Sequence, residues 1–404
     1  MTPSTEPAAV PVPRSTARSW RRALAPLVLA GALVGCASPG VDNRTISQLP
    51  PLQVAGGTLT VADVANRLTR PELLAVDESM RAFVASYTGD QRNSRVRLMS
   101  LHQAVRGAAG LDMQYSPYAE GSAREVFHSG VANCLSYANL FVALAREAGL
   151  SANYQWVEVR PHWSRVSERV QVSLHVNVVV RLADGSRYMV DIDPPPSRDI
   201  TRAYELTDSD AQALYYNNIA MDALVNNDVE TAWLYAVNAL FLSPANSHLW
   251  VNLGAIYRYS GQHQEAERSY LQALELDATE YSAMTNLVVL YGMEGREEDR
   301  AHWLARVASH RQANPYYHAW QGEEAAAADN WAAALDHYNQ AVALAPTDSH
   351  LLFSRGVIYY QLNEFDAATA DIEKAIEMAT LYSDIAQYQL QLEEVRKARL
   401  AGAW

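Results

Sequence analysis

Residues 130–150 read GVANCLSYANLFVALAREAGL, the pattern of a helix that begins at a cysteine. Cys134, Ala138 and Phe141 recur at helical spacing, and Gly149 supplies a natural helix end. A cysteine in the first helical turn lies beside the positive end of the helix dipole, which favours the thiolate. The thiolate is the nucleophilic form of this side chain. The segment therefore predicts a helix with a reactive thiol at its N-terminus.

The segments after this helix have the β-branched and aromatic content of strands. They are NYQWVEV at 153–159, QVSLHVNVVVRL at 171–182 and SRYMVDID at 186–193. The turn at 183–185 joins the last two as a hairpin, and the prolines at 194–196 end the strand because proline cannot donate to a sheet. A helix followed by antiparallel strands predicts an α+β domain.

The region before the cysteine helix predicts further helices. Residues 60–110 have helical character, and Pro71 is a plausible first residue of one helix. Ser122 and Glu125 have the spacing of a capping box, which predicts another helix start.

A histidine and two acids on the hairpin complete a candidate catalytic group. A cysteine nucleophile needs an imidazole as general acid/base, and the imidazole needs a partner that orients it. With a three-residue turn, Asn177 lies opposite Asp191 and His175 opposite Asp193, so both acids share the face of His175. A two-residue turn would move the acids to the other face. The residues alone leave Asp191 and Asp193 open, and an inert buried thiol at Cys134 is the simpler alternative.

These motifs resemble the transglutaminase-like superfamily, which is related in architecture to papain-like cysteine proteases. The resemblance covers roughly residues 100–196, and its motifs are NCLSYA at 133–138, LAREAGL at 144–150, HVN at 175–177 and YMVD at 188–191. It implies an α+β transglutaminase-like (papain-like) fold without a metal or organic cofactor.

The resemblance also assigns roles to the candidate residues. Cys134 would be the nucleophile, His175 the general acid/base, and Asp191 the residue that orients His175. Asp193 is the alternate orienting residue, because it precedes a proline as in other members. Many members have an aromatic residue or glycine just before the cysteine and a tryptophan after the histidine, where this chain has asparagine and valine. The substrate pocket is therefore less well predicted than the catalytic group.

Other residues near this group have two possible uses. His128, six residues before Cys134, is a candidate oxyanion donor, although a solvated loop histidine is the more common situation. Trp156, His162 and Trp163 could line a substrate cleft or could simply pack. No metal-ligand spacing, calcium-binding loop or glycine-rich nucleotide loop occurs, so we expect neither a metal nor an organic cofactor.

From about residue 205 a 34-residue repeat replaces the strand pattern. Its windows begin at 213, 247, 281, 315 and 349, and four of them have small residues at the eighth, twentieth and twenty-seventh places. Small residues at these places let the two helices of a pair cross closely. The pattern resembles the tetratricopeptide (TPR) family and predicts an all-α solenoid. The third window, with Arg300 at a small-residue place, departs most from the pattern.

Three asparagines occupy the same sixth place of successive windows: Asn218, Asn252 and Asn286. In arrays that resemble this one, such asparagines can face a groove and bind a peptide. Hydrogen bonding within the array is an equally good interpretation. Both alternatives stay open at the level of sequence.

The N-terminus resembles a bacterial lipoprotein leader. The apolar run at 23–35 has signal-peptide length and is too short to span a bilayer. It ends in LVGC, which resembles the lipobox in which the cysteine, here Cys36, is lipidated. Acyl chains would anchor the chain to a membrane, and alanine after the cysteine implies the outer membrane, facing the periplasm. The formal net charge is −13, and an acidic chain is repelled by phosphate backbones, so we expect no nucleic-acid partner.

Together these patterns predict an ordered set of regions. They are a lipoprotein signal peptide at 1–35, a lipidated cysteine and flexible tether at 36–58, a transglutaminase-like domain at 59–200, five TPR-type repeats at 205–382 and a capping helix at 383–404. The function expected from them is acyl chemistry on an amide or peptide bond, by hydrolysis or transfer, with the repeats docking a protein partner or substrate. The alternative is a non-catalytic adaptor that assembles envelope proteins.

Overall fold

A computed structural model describes residues 41–68, 71–89, 91–159, 174–195, 200–379 and 382–401. The elements before the cysteine helix are α1 (Asn43–Ser47), β1 (Leu52–Val54), β2 (Gly57–Leu59), α2 (Val61–Arg67), α3 (Glu78–Thr88), α4 (Ser94–Arg106), β3 (Gln114–Tyr115), α5 (Ala123–Ser129) and β4 (Val131–Ala132). The cysteine helix and the main strands are α6 (Cys134–Glu147), β5 (Ser151–Val159), β6 (Leu174–Arg181), β7 (Arg187–Val190) and β8 (Ile200–Leu206).

The main sheet has the strand order β7-β6-β5-β8, and all its neighbours are antiparallel. Val178 lies opposite Val190 and Arg181 opposite Arg187, the register of a three-residue turn. This confirms the predicted hairpin. The edge strand β8 was not predicted, because charged residues interrupt its pattern: Arg202 is exposed, and the partly buried Glu205 pairs with Arg181.

Helix α6 lies at the centre of the first domain. The sequence predicts one apolar stripe, but every residue from Leu135 to Ala145 is buried. The sheet strands β5 and β6 pack on this helix, and α3, α4 and α5 pack on its other sides. A helix that is apolar all round is stable only with such complete cover.

The helix starts before α6 are determined by their capping residues. At α5 the Ser122 Oγ accepts from the Glu125 backbone N–H, as the capping box predicts. The predicted start near Pro71 is wrong, because α3 begins only at Glu78. Asp77 is its N-cap and accepts from the backbone N–H of Met80, and an aspartate in this position offsets an otherwise unpaired donor.

The segment predicted as a flexible tether is folded over its described part, residues 41–58. Ile46 and Leu52 have no exposed surface and belong to one core with Trp233 and Tyr257 of the repeats. The tether prediction is therefore wrong for these residues. Complete burial of two large aliphatic side chains contributes several kcal/mol, on the order of 1.5–3 kcal/mol each.

Hydrogen bonds fix the backbone of the same segment to the second repeat. The Tyr257 hydroxyl donates to the carbonyl of Pro50 at 2.5 Å. Gln262 donates from Nε2 to the carbonyl of Pro51 at 3.1 Å, and its Oε1 accepts from the backbone N–H of Gln53 at 2.8 Å. The segment thus pairs with side chains that lie about two hundred residues further along the chain.

Helix pairs follow β8, as the repeat predicts. They are α7 (Asp208–Val225) with α8 (Val229–Leu242), α9 (Ser247–Tyr259) with α10 (His263–Leu276), α11 (Tyr281–Glu294) with α12 (Glu297–Gln312), α13 (Pro315–Ala327) with α14 (Trp331–Leu344), and α15 (Ser349–Gln361) with α16 (Phe365–Met378). The final helix α17 (Tyr382–Ala401) lies where a capping helix was predicted.

The small-residue places of the repeat are points of close helix crossing. A Cβ at Gly254 would lie 2.5 Å from Cε1 of Tyr270, and one at Gly322 would lie 2.7 Å from Cδ2 of Tyr338. These distances are too short for any larger side chain without movement of the aromatic ring. The glycines therefore allow the two helices of a repeat to pack around a tyrosine.

The solenoid contains two separate apolar cores. The first three repeats share one core with the N-terminal segment, and this core ends at Trp303 and Val307 of α12. The last two repeats and α17 share a second core, from Ala319 to Val395. Within the ranges that the structure describes, no helix is both long and apolar enough to cross a membrane.

Candidate active site

Cys134 is the first residue of α6 and carries a free, partly exposed thiol. The preceding residue, Asn133, is the N-cap. Its Oδ1 accepts from the Ser136 backbone N–H at 2.8 Å, and the Ser136 Oγ accepts from the Asn133 backbone N–H at 2.9 Å. This reciprocal pairing fixes the first helical turn. The thiol therefore lies at the N-terminal end of the helix, where the dipole stabilises negative charge.

His175 and Asp191 form a close pair on the hairpin. The distance between His175 Nε2 and Asp191 Oδ2 is 2.5 Å, and the two side chains are 11% and 3% exposed. The other carboxylate oxygen, Oδ1, accepts from the backbone N–H of Asp193 at 3.1 Å. Of the two acids left open by the sequence, Asp191 contacts the imidazole, and the exposed Asp193 contributes its backbone.

The imidazole of His175 lies close enough to the Cys134 thiol for the two groups to interact. Burial by itself would lower the pKa of His175, because it disfavours the charged ring. The hydrogen bond to Asp191 and the contact with Cys134 outweigh this effect and raise the pKa to about 10. These neighbours therefore favour the protonated imidazole of His175.

A tyrosine that the sequence analysis did not single out also lies beside the thiol. Tyr115 lines the same cavity as Cys134, and it lies opposite Ala132 in the parallel pair β3–β4. Burial raises the pKa of Tyr115, and so does the adjacent Cys134, because a second negative charge there would be repelled. No motif marks this residue, since a two-residue parallel bridge leaves no periodic signal.

A small cavity of about 170 Å³ opens beside the thiol. Tyr115, Trp156 and Val176 line it on the side of the first domain, so Trp156 does border the site. Asn217 and Asn218 of α7 also line it. The first repeat thus supplies one wall of the cavity. The other two cleft candidates, His162 and Trp163, lie outside the described residues.

His128 is not part of this group. It lies on α5, is about half exposed, and its Nε2 bonds with Asp77 Oδ2 at 2.8 Å. Hydrogen bonds from Ser79, the Met80 backbone and His128 together hold the pKa of Asp77 below its ordinary range. The structure pairs His128 with Asp77, and His128 is not among the residues that line the cavity beside Cys134.

The three repeat asparagines have three different partners. Asn218 Nδ2 donates to Glu120 Oε1 at 2.8 Å beside the cavity, and Asn252 Nδ2 donates to Asn217 Oδ1 at 2.8 Å. Asn286 donates to the Ser282 carbonyl of its own helix at 2.8 Å. Equivalent places in the repeat therefore do not form one uniform groove.

Neither a metal site nor the predicted lipidation site can be placed in this group. Among the described residues, no set of three or more histidine, cysteine, aspartate and glutamate side chains is arranged to hold a metal ion. Cys36 lies outside the described residues.

Comparison with known families identifies both parts of the chain. The model of the transglutaminase-like superfamily matches residues 81–254, a range that includes Cys134, His175 and Asp191. Tetratricopeptide-repeat models match residues 247–279 and 322–399. The chain therefore contains a transglutaminase-like domain in its N-terminal part, followed by a TPR solenoid.

Three similar solved structures each cover less than half of this chain. A structure of MamA is 20% identical over 41% of this chain and 91% of its own, with a TM-score of 0.23. YrrB, described as a TPR protein with an unusual peptide-binding site, is 18% identical over 44% of this chain and 91% of its own, with a TM-score of 0.23. PilF of Pseudomonas aeruginosa is 16% identical over 49% of this chain and 90% of its own, with a TM-score of 0.26. No curated protein matches the chain.

Proposed function

We propose that the chain is a cysteine-dependent enzyme that breaks or exchanges an amide bond. Cys134 is the nucleophile, His175 the general acid/base, and Asp191 the residue that orients His175. The observation that carries this proposal is the close pair of His175 and the buried Asp191 carboxylate beside the Cys134 thiol, with 2.5 Å between His175 Nε2 and Asp191 Oδ2. A nucleophile, a base and an orienting acid in contact are the minimum that this chemistry needs.

The proposed reaction begins when the Cys134 thiolate attacks the carbonyl carbon of the amide. The C–S bond forms as the carbonyl π electrons move to oxygen, and the backbone N–H at the start of α6 stabilises this oxyanion. The oxyanion then collapses, the C–N bond breaks, and the imidazolium of His175 donates its proton to the leaving amine. An acyl-thioester on Cys134 remains.

Resolution of the thioester regenerates the enzyme. His175, now neutral, accepts a proton from water or from a primary amine as that molecule attacks the thioester carbonyl. The tetrahedral intermediate then collapses, the C–S bond breaks, and the Cys134 thiolate leaves. Water gives a carboxylic acid, and an amine gives a new amide. We propose hydrolysis as the main outcome, because water needs no second binding site.

The repeats are proposed to dock a protein or peptide. Stacked helix pairs present a continuous surface, which suits extended chains. The cavity beside Cys134 is bordered by α7, so a chain held on the first repeat would reach the thiol directly. The reacting amide would then be part of a protein partner or of a peptide.

The lipid anchor is a separate proposal that rests on the leader sequence. The LVGC motif at 33–36 suggests lipidation of Cys36 and attachment to the outer membrane, facing the periplasm. Metabolic labelling of the full chain with radioactive palmitate tests it. Label in the wild type that is lost in Cys36→Ser is the expected result, and an unlabelled wild type would contradict it.

The catalytic proposal is tested by alkylation of the Cys36→Ser full chain, in which Cys134 is the only thiol. We expect fast reaction with iodoacetamide at pH 6, and a rate about tenfold or more lower in His175→Ala, because the thiolate loses its imidazolium. His302→Ala, which changes an exposed histidine on α12, is the matched control and should react like the parent. Equal rates in His175→Ala and the parent would exclude the enzyme and favour the adaptor.

A further inference from the structure

Helices α6 and α7 are joined by polar contacts at both ends of α6. At the C-terminal end, the Arg146 guanidinium donates to both carboxylate oxygens of Asp208, at 2.7 and 2.9 Å. At the N-terminal end, Glu120 Oε1 accepts from Asn133 Nδ2 at 2.7 Å and from Asn218 Nδ2 at 2.8 Å. We call the contact through Glu120 the near joint and the Arg146–Asp208 contact the far joint. The 14 residues of α6 separate them by about 20 Å.

The backbone that carries Glu120 is attached to the first turns of α6. The carbonyl of Ala119 accepts from the Asn133 backbone N–H at 3.1 Å and from Ser136 Oγ at 2.6 Å. The carbonyl of Gly121 accepts from Asn139 Nδ2 at 2.9 Å. Glu120 therefore moves with α6, and its carboxylate is the group that reaches the first repeat.

Hydrogen-bond chemistry fixes the direction of the near joint. Asn133 Oδ1 is occupied by the backbone N–H of Ser136, so only its amide NH₂ can face Glu120. Glu120 must then accept, and Asn218 must also present its NH₂ group. Burial raises the pKa of Glu120. The hydrogen bonds from Asn218 and Asn133 act in the opposite direction and only partly offset this effect. A carboxylate with less water around it binds its remaining donors more strongly.

We infer that Glu120 is a positioning residue for Cys134, through which the first repeat holds the start of the nucleophile helix. This inference rests on the proposed function. Asn133 directly precedes Cys134, so a displaced Asn133 would shift the thiol relative to His175, which is carried by the sheet. A misplacement of about 1 Å can lower a rate about 100-fold. Asn218 thereby helps to hold the start of α6 in position, in addition to any role in a peptide-binding groove.

A carboxylate swap tests the near joint in the full-chain Cys36→Ser background, with iodoacetamide as the probe. Asn218→Asp places two carboxylates against each other, and we expect alkylation of Cys134 at pH 7.5 to slow about tenfold. The loss should shrink toward pH 5, because protonation of either carboxylate restores a donor. Adding Glu120→Gln should restore the rate to within about twofold, since it removes one of the two facing carboxylates and supplies an amide NH₂ that can donate to Asp at position 218.

The far joint supplies the matched control. Asp208→Asn weakens the other contact between the same two helices, so it should lower the melting temperature and leave the pH profile of alkylation unchanged. A rate that is unaffected by Asn218→Asp, or not restored by Glu120→Gln in a folded double variant, overturns the inference. So does an equal loss in Asp208→Asn. If the parent and His175→Ala react alike, the proposed function itself fails, and that outcome is separate from every comparison of the joints.

Discussion

The first three repeats and the last two follow the same 34-residue phase but have different surroundings. The first three share a core with the N-terminal segment, and α7 also contributes Ala211 and Leu214 to the core of the transglutaminase-like domain. The last two repeats and α17 pack only with one another in their apolar core. The 34-residue repeat pattern therefore specifies the helix pairs. The packing of the first pairs against the rest of the protein depends on residues that are not part of that pattern.

The boundary between the two halves lies at α12. Only Trp303 and Val307 are buried in this helix, and its first turn carries three acidic residues. A helix with so little apolar surface transmits little packing energy to its neighbours. In a solenoid, where each repeat contacts mainly its neighbours, we expect such a weak interface to separate two unfolding transitions.

The largest expected effect follows from breaking a buried ion pair in the second half. Arg355 donates to both oxygens of Asp371, at 2.6 and 2.8 Å, and Asp371 is 8% exposed. Asp371→Asn leaves the guanidinium without its charge partner, and we expect a loss of about 3 kcal/mol. Urea unfolding should show the loss in one transition only, with unchanged alkylation of Cys134. A single cooperative transition that shifts as a whole would contradict the division.

A substitution that creates a cavity in the first half should destabilise the other unfolding transition. Ile46 is fully buried against the first repeats, and Ile46→Ala removes packing that the rigid surroundings cannot recover. We expect a loss of about 2–4 kcal/mol, confined to the transition of the first half. Val395→Ala, at a fully buried place in the second core, is the matched control and should affect only the other transition.

The pH dependence of stability should also differ between the halves. The pKa of His175 in the folded protein is about 10, above its ordinary value of 6.5, so protonation favours folding. This contribution is complete below about pH 6.5 and is lost as the pH rises toward 10. Comparing His175→Gln with the wild type, we expect a difference on the order of 2 kcal/mol at pH 6 that disappears by pH 10. The transition of the second half should not change, and a difference that grows with pH would reverse the assignment.

The smallest expected effect concerns one repeat position in both halves. Gly254→Ala and Gly322→Ala each force a methyl group against a tyrosine ring, at 2.5 and 2.7 Å. Overpacking costs about 1–3 kcal/mol, and the better helix propensity of alanine returns up to about 1 kcal/mol. We expect a net loss of about 1 kcal/mol in the transition of the half that contains the substitution. Equal shifts of both transitions by either variant would show that the two cores unfold together.

Features encoded by neighbouring residues were predictable from the sequence. The start of α6 at Cys134, the cap at Ser122 and the hairpin register that brings Asp191 to the face of His175 all depend on short-range rules. The repeat phase was equally accessible, because one helix pair is a local unit. The contact of Asp191 rather than Asp193 with His175 depends on side-chain packing, which spacing alone does not specify.

Features that depend on distant partners were missed. A parallel strand pair of two residues places Tyr115 beside the thiol, and this pair is too short to leave a pattern in the sequence. Ile46 and Leu52 lie in a stretch without periodicity, and only their partners in the repeats make them core residues. The position of Asn218 at the cavity depends on how one domain packs against the next. No single-segment rule contains that information.

The N-terminal segment has a consequence for the order of folding. The Pro50 carbonyl and the Tyr257 hydroxyl are 207 residues apart in the chain. At typical rates of synthesis, the partner of the early segment emerges about 10 to 40 s after it. Ile46 and Leu52 remain exposed to solvent during that interval, so the first core is completed late in folding. A chain released before the second repeat would therefore keep an exposed apolar end, which proteases and chaperones recognise.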